Sequence, residues 1–337
     1  MNRATRTISV KSLMLLGVAA AVAVAVAAPA QATYPGKNGP IAFQRFTGGE
    51  ETTKIFSMSP TGRRPHRLVT RPGPSFNPDV SPDGSRVAFE RLSGIYTVGA
   101  GGGRGVKVSS GCTGQCFGDG QPAWSPDGRQ ILFTRVLGPE VNHNAAEVDL
   151  MIMNGDGSGQ RLIRRFGRVV DGLEPAKPRF SPDGQQIAMT LGKLGPGPSG
   201  FAGSAVYVMN ADGSALSAIT PSKLHGGNTD WSPNGKLLVF NSNSDVPKTS
   251  EIWVVKPDGK GLRRLRRVHS GRDYQPVWSP DGRLIAFGHD GPAIHRGGHV
   301  VHVLQHIWTM RSNGSHAHAI TKPGEPAEDV PDWGSRH

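Results

Sequence analysis

The chain is 337 residues long and carries 38 Lys and Arg against 26 Asp and Glu, a formal net charge of +12. Its only two cysteines, Cys112 and Cys116, sit in the run CTGQC and have no nearby partners for a closed zinc site. Its arginine clusters lack the interleaved aromatics that single-stranded nucleic acid requires, so the basic excess suits anionic wall polymers or acidic headgroups better than nucleic acid.

The first element is an address. Arg3, Arg6 and Lys11 precede an apolar run, Ser12–Ala28, and Ala30-Gln31-Ala32 offers an A-x-A cleavage site. The sequence predicts a signal peptide over residues 1–32 and a mature chain from Thr33, which is extracellular, periplasmic or cell-wall associated. An uncleaved anchor is the alternative, because the run is nearly long enough to span a bilayer, but its small alanines and the cleavage site favour removal. No cysteine follows the run for a lipid anchor, no adjacent arginine pair precedes it, and no later segment is apolar enough to cross a membrane. Losing three cations leaves +9 on the mature chain. In an oxidising compartment Cys112 and Cys116 are expected to form a local disulfide.

From there three strand signatures alternate. Signature A is a polar residue, usually a proline, then an aromatic or valine: NPDVS from Asn77, QPAWS from Gln121, KPRFS from Lys177, NTDWS from Asn228, QPVWS from Gln275 and VPDWG from Val330. Signature B is an apolar run, beginning at Ile41, Val87, Ile131, Ile187, Leu237 and Leu284. Signature C runs into a glycine turn, beginning at Ile55, Ile95, Leu150, Val206, Ile252 and Ile307, and a fourth strand, D, follows it. Between A and B lies Ser-Pro-Asp-Gly or a variant of it. Proline pre-sets the first corner of a type I turn, and glycine takes the positive φ that closes it.

A single four-stranded unit exposes both faces and cannot bury its apolar residues alone; radial stacking buries them between neighbours. The expectation is therefore an all-β, six-bladed β-propeller over residues 33–337, with four antiparallel strands per blade and about 51 residues for each. The first unit lacks its strand A, and one strand A is left over at Val330–Gly334. Trp333 is expected to pair beside Ile41–Phe43, closing the ring and removing sheet edges at the seam.

The unit x-P-x-W-S-P-D-G-x-x-I-A-F, followed by I-Y-V-M-N-x-D-G, resembles the PD40, or WD40-like, repeats of the TolB-type propeller family. The resemblance covers essentially all of the mature chain and implies an envelope protein built on a propeller. Similar propellers precede hydrolase domains in prolyl-oligopeptidase-like enzymes, but no G-x-S-x-G nucleophile elbow occurs in this chain.

Strand parity puts the tight Ser-Pro-Asp-Gly and Asp-Gly turns at one end of the propeller and the irregular loops at the other, where recognition is expected. Asn77, Gln121, Lys177, Asn228 and Gln275 stand at the start of the innermost strands and are the candidate binding ring at the channel mouth. Asp119, Asp273 and Glu328, slightly upstream, are expected to add acidity there; the plainer reading is a set of inter-blade hydrogen bonds around a water-filled tunnel. The last insertion concentrates His289, His295, His299, His302 and His306. Imidazole is a common metal ligand, which makes His295, His299, His302 and His306 the candidate metal or pH-responsive set. Against it, Gly297-Gly298 break any helix joining His295 to His299, and at strand rise His302 and His306 lie about 13 Å apart, so a solvated polar loop is the plainer reading. Asp83, Asp127, Asp183 and Asp281 belong to turns. The arginines of strand D, such as Arg161, Arg164 and Arg165, discourage edge-to-edge association or meet anionic envelope material.

The sequence thus predicts an exported, monomeric, non-catalytic propeller without a cofactor, binding an envelope protein or an anionic wall polysaccharide. The alternatives are a propeller lyase or hydrolase, or a metal-binding (Ca²⁺ or Zn²⁺) or pH-sensing protein, using acidic and histidine residues on the variable-loop face.

Overall fold

The computed structural model describes residues 35–46, 53–114, 116–138, 146–169, 175–194, 201–245, 248–268, 271–296, 299–322 and 328–336. The repeated turn is built as its residues dictate. At Ser279-Pro280-Asp281-Gly282 the Gly282 N–H donates to the Ser279 carbonyl at 2.8 Å, with Gly282 at φ +69°. The Ser279 hydroxyl donates to Asp281 at 2.6 Å and accepts from the Leu284 N–H at 2.9 Å. The same arrangement recurs at Ser81, Ser125 and Ser181, and at Ser232 with Asn234 in the place of aspartate.

These turns separate strands that follow the chain as β1 (Lys37–Phe46), β2 (Thr53–Met58) and β3 (His66–Arg67), then β4 (Phe76–Val80), β5 (Arg86–Arg91), β6 (Gly94–Gly99) and β7 (Val106–Lys107). Next come β8 (Cys116–Trp124), β9 (Gln130–Leu137), β10 (Ala146–Asn154) and β11 (Arg161–Val169), followed by β12 (Ala176–Phe180), β13 (Gln186–Leu194), β14 (Phe201–Asn210) and β15 (Ser217–Ala218). The last are β16 (Gly226–Trp231), β17 (Leu238–Asp245), β18 (Lys248–Val255), β19 (Arg263–Arg266), β20 (Arg272–Trp278), β21 (Leu284–Arg296), β22 (His299–Arg311), β23 (His318–Ala319) and β24 (Glu328–Arg336).

The C-terminal strand pairs into the first sheet, in the order β24-β1-β2-β3, with Trp333 opposite Ile41. The Trp333 indole N–H donates to the Gly39 carbonyl at 3.2 Å. Three further four-stranded sheets are β4–β7, β8–β11 and β12–β15. The remaining strands do not form two separate sheets, as six independent units would require. They form one eight-stranded sheet, so the described residues hold four four-stranded sheets and one of twice that size. The cause is local. Strand β19 covers β18 only from Val254 to Ile252, which leaves Ser250 open to pair in parallel with Arg272 at the start of β20.

The core lies between successive sheets, as in a β-propeller. Ala88 and Ile95 pack on Trp124, Ile131 and Phe133 of the next sheet. Ala188, Val206 and Val208 pack on Trp231, Leu238 and Phe240. The pattern runs from the end of the chain back to its start, where Val277, Ala286 and Ile307 pack on Ile41, Phe43 and Met58. Gly62, at φ +74°, makes the same junction tight, since a Cβ there would come within 1.9 Å of the Ile320 carbonyl oxygen. All-β and radially packed, the fold places β4, β8, β12, β16, β20 and β24 around a central channel.

Candidate binding site at the channel mouth

Each channel-lining strand carries a backbone irregularity. Asn77, Gln121, Lys177 and Gln275 have φ of 50°, 52°, 49° and 50°, Asn228 has 24° and Val330 has 51°. The pairing register shifts at each of these positions. Left-handed backbone costs a non-glycine residue about 1–3 kcal/mol, and such strain persists only where the surroundings impose it. Here β-bulges re-aim the strand, and side chains of the adjoining four-stranded unit receive the freed amides. The Asn77 N–H donates to Gln44 Oε1 at 2.6 Å, the Lys177 N–H to Gln121 Oε1 at 2.5 Å, and the Gln275 N–H to Asn241 Oδ1 at 3.3 Å. Glu90 Oε2 accepts from Asn77 Nδ2 at 3.0 Å and, more weakly, from the Gln121 N–H at 3.4 Å.

Charge gathers at the same level. Burial lowers the Lys177 ammonium from its ordinary value to about 8, against the opposing pull of Asp332, Asp329 and Glu90. Burial raises the Asp329 carboxyl to about 7. Lys177 and a hydrogen bond from Gln44 Nε2 (3.1 Å) pull it back, and Asp290 pushes it further. Burial also raises the Tyr274 phenol, with Asp290 and Asp329 adding to the effect. The Tyr274 ring lies where a side chain on Gly288 would fall, 2.4 Å from the nearest ring carbon.

Two residues further along these strands, ion pairs cross the channel. Arg179 reaches from β12 to pair with Asp79 of β4 and, at 3.0 Å, with Asp332 of β24. The aspartates also join two pairs of sheets, and the two halves of the eight-stranded one, through the backbone. Asp79 accepts from the Trp124 N–H at 2.6 Å, Asp332 from the Val80 N–H at 2.7 Å, and Asp230 from the Trp278 N–H at 2.8 Å. The remaining cavity, lined by Asp79, Arg179, Asp230, Trp278 and Asp332, is about 30 Å³, room for one or two waters. A second, between Lys177, Arg179, Asn228 and Gln275, is about 10 Å³. The geometry therefore offers a polar mouth over a layer of cross-channel ion pairs.

Residues 164–291 match the TolB beta propeller domain, PD40. That segment carries PD40 repeats of the TolB type. Among curated relatives, an uncharacterized protein of Agrobacterium fabrum is 27% identical over 203 residues, 59% of this chain and 57% of its own length. The Tol-Pal system protein TolB of Francisella tularensis is 30% identical over 170 residues, 49% of this chain and 34% of that protein. The chain thus spans 57% and 34% of the length of these two relatives. In fold alone it is similar to the crystal structure of TolB from Acinetobacter baumannii, with a TM-score of 0.64 at 17% identity, covering 88% of this chain and 66% of that one.

Within the PD40 framework the sequence-derived candidates separate. Asn77, Gln121, Lys177, Asn228 and Gln275 occupy equivalent bulges on the channel-lining strands. Asp119, Asp273 and Glu328 do not stand free at the mouth; all three are buried in ion pairs. Asp119 takes Arg135 at 2.6 and 3.0 Å, Glu328 takes Arg45 at 2.9 and 2.5 Å, and Asp273 takes Arg266 at 2.7 Å and His289 at 2.6 Å. The partners Arg135, Arg45 and His289 lie directly opposite on the adjacent strand, so register brings them together.

The histidine insertion is a hairpin rather than a loop, with Ile294 opposite His302 and Arg296 opposite His299. The side chains of His295, His299 and His302 lie outside the described residues. His306 is buried and sits opposite His289. Cys112 and Cys116 form a disulfide. Their proximity to Asp119 does not make a metal site, because the thiols are oxidised and Asp119 is held by Arg135. Among the described residues no helix is long and apolar enough to cross a membrane.

Sequence reasoning missed Gln44, Glu90, Asn241, Arg179 and Asp329. A signal for most was present. Gln44, Glu90 and Asn241 each follow the apolar run of signature B, and Asp79, Arg179 and Asp332 each follow the proline of signature A.

Proposed function

We propose that this chain is exported, with residues 1–32 as its signal peptide, and that residues 33–337 form a non-catalytic module binding a protein or polysaccharide of the cell envelope. In this reading the eight-stranded sheet acts as two blades joined at Ser250 and Arg272, which makes six around the ring. The observation that carries the proposal is the convergence of Gln44 and Asp329 of the first sheet with Glu90, Gln121, Lys177 and Asn241 of the other four, on one end of a channel that Arg179 spans behind them. A polar rim backed by cross-channel ion pairs suits a partner presented to its surface better than a solute passing through. Likeness to TolB, a Tol-Pal system protein by name, supports an envelope partner.

The test immobilises mature wild-type protein beside Lys177→Ala and Glu90→Gln variants of matched circular dichroism and challenges each with envelope extract. Protease-treated and glycan-stripped extracts tell protein from polysaccharide. Recovery that depends on the two mouth residues supports the reading. Equal recovery by all three proteins, or none by any, overturns it.

A further inference from the structure

The outermost strands are not alike. Strands β3, β7, β15 and β23 are two residues long and β19 is four, whereas β11 runs for nine. Short outer strands leave little backbone for a foreign strand to pair with, which is how sheets are kept from associating. β11 lacks that protection. Its inner side pairs with β10, and among the described residues nothing pairs with its outer side.

The side chains along this edge have one sign of charge. Arg161 is exposed and pairs with no carboxylate among the described residues. Arg165 is exposed while reaching Asp149 at 2.8 Å, and Arg164 donates to the Gly213 carbonyl at 2.8 Å. Leu162 is 45% exposed between them, an apolar handle on a basic edge. A second copy of β11 laid alongside would set arginine against arginine, which is unfavourable across strands. An acidic strand reverses that sign. Register shifts at Leu150/Met151 and Glu147/Val148 leave extra residues at Ile163 and Gly167. These bulges break the edge into short flush stretches, so it takes a short segment in one register and not an indefinitely growing sheet.

We propose that the outer edge of β11 is a strand-addition site for an extended acidic segment of a partner protein, with main-chain hydrogen bonds supplying affinity and the arginines choosing the charge. This site is on the rim of the fold, whereas β8 is the channel-lining strand of the same sheet, so the proposal stands apart from the channel mouth.

The probe is a short fluorescein-labelled peptide of alternating glutamate and valine, added to the full mature chain. Fluorescence anisotropy should report binding that weakens with salt. Hydrogen exchange should slow at alternate amides of β11. Arg161→Glu, whose exposed side chain leaves the thermal midpoint unchanged, should weaken binding by about tenfold. Loss of affinity with β11 amides unprotected would show simple charge attraction and overturn strand addition. Equal binding of a lysine–valine peptide, no binding at all, or a dimer of this chain formed through β11 would also overturn the proposal.

Discussion

Arg179 pairs with carboxylates of two other sheets, and its removal makes a demanding test of the channel interior. The side chains of Arg179, Asp79 and Asp332 are 11%, 5% and 13% exposed. Arg179→Met keeps an unbranched apolar stem and removes the charge, leaving two nearby carboxylates to repel across a nearly dry gap. Breaking one partner out of a buried pair typically costs about 3–5 kcal/mol. The loss should appear in urea unfolding as a lower midpoint with an unchanged slope. The triple variant Arg179→Met with Asp79→Asn and Asp332→Asn removes the stranded charge while keeping an oxygen for the Trp124 and Val80 amides. It should recover most of the loss, because a buried ion pair replaced whole is often neutral or stabilising. A single variant within about 1 kcal/mol of wild type, or a triple variant no better than the single one, would refute the argument that stranded charge sets the cost.

Stability should also depend on pH in a way that two mouth residues explain. Asp329 is raised from 3.8 to about 7, so the folded state binds the extra proton between those values and stability falls as pH rises through that window. Lys177 is lowered from 10.5 to about 8, so the unfolded state binds the extra proton there and stability rises from about pH 8 to 10.5. Urea midpoints against pH should therefore dip between about 7 and 8, with Asp329→Asn flattening the acid limb and Lys177→Met the alkaline one. Trp333→Ala, at a 4% exposed position that seals β24 against β1, should cost about 3–5 kcal/mol by urea unfolding; a loss below about 1 kcal/mol would mean that closure does not rest on this residue. Gly62→Ala should lower the thermal midpoint sharply, because its Cβ meets the Ile320 carbonyl. Gly99→Ala, with nothing within 4 Å, should not, and equal effects would contradict the close approach.

Much of the architecture could be read from residues because its determinants are local. Serine, proline, aspartate and glycine in sequence specify one turn wherever they occur, and Trp333 meets Ile41 because an unpaired strand was left at each end of the pattern. The joining of β18 to β20 was not legible. It depends on where β19 stops, and the arginines of LRRLR give no terminus. The carboxylates were misplaced for a related reason. Asp119 and Glu328 look available in one dimension, yet β-sheet register sets Arg135 and Arg45 directly across from them. Only three-dimensional pairing shows that these charges are already engaged.

The left-handed bulges were hidden for another reason, and they bear most on function. Asparagine tolerates positive φ, but glutamine and lysine have no such preference, so composition alone could not mark Gln121, Lys177 and Gln275. What holds them there is the adjoining four-stranded unit. Gln44 receives Asn77, Gln121 receives Lys177, and Asn241 receives Gln275. The same contacts that stitch one sheet to the next thus turn the innermost strands at the rim, and they put Lys177 close to Asp329 and Glu90. Binding at this mouth would be coupled to how the sheets sit against one another, because a ligand that competes for Gln121 or Asn241 also pulls on the amide of the adjoining strand.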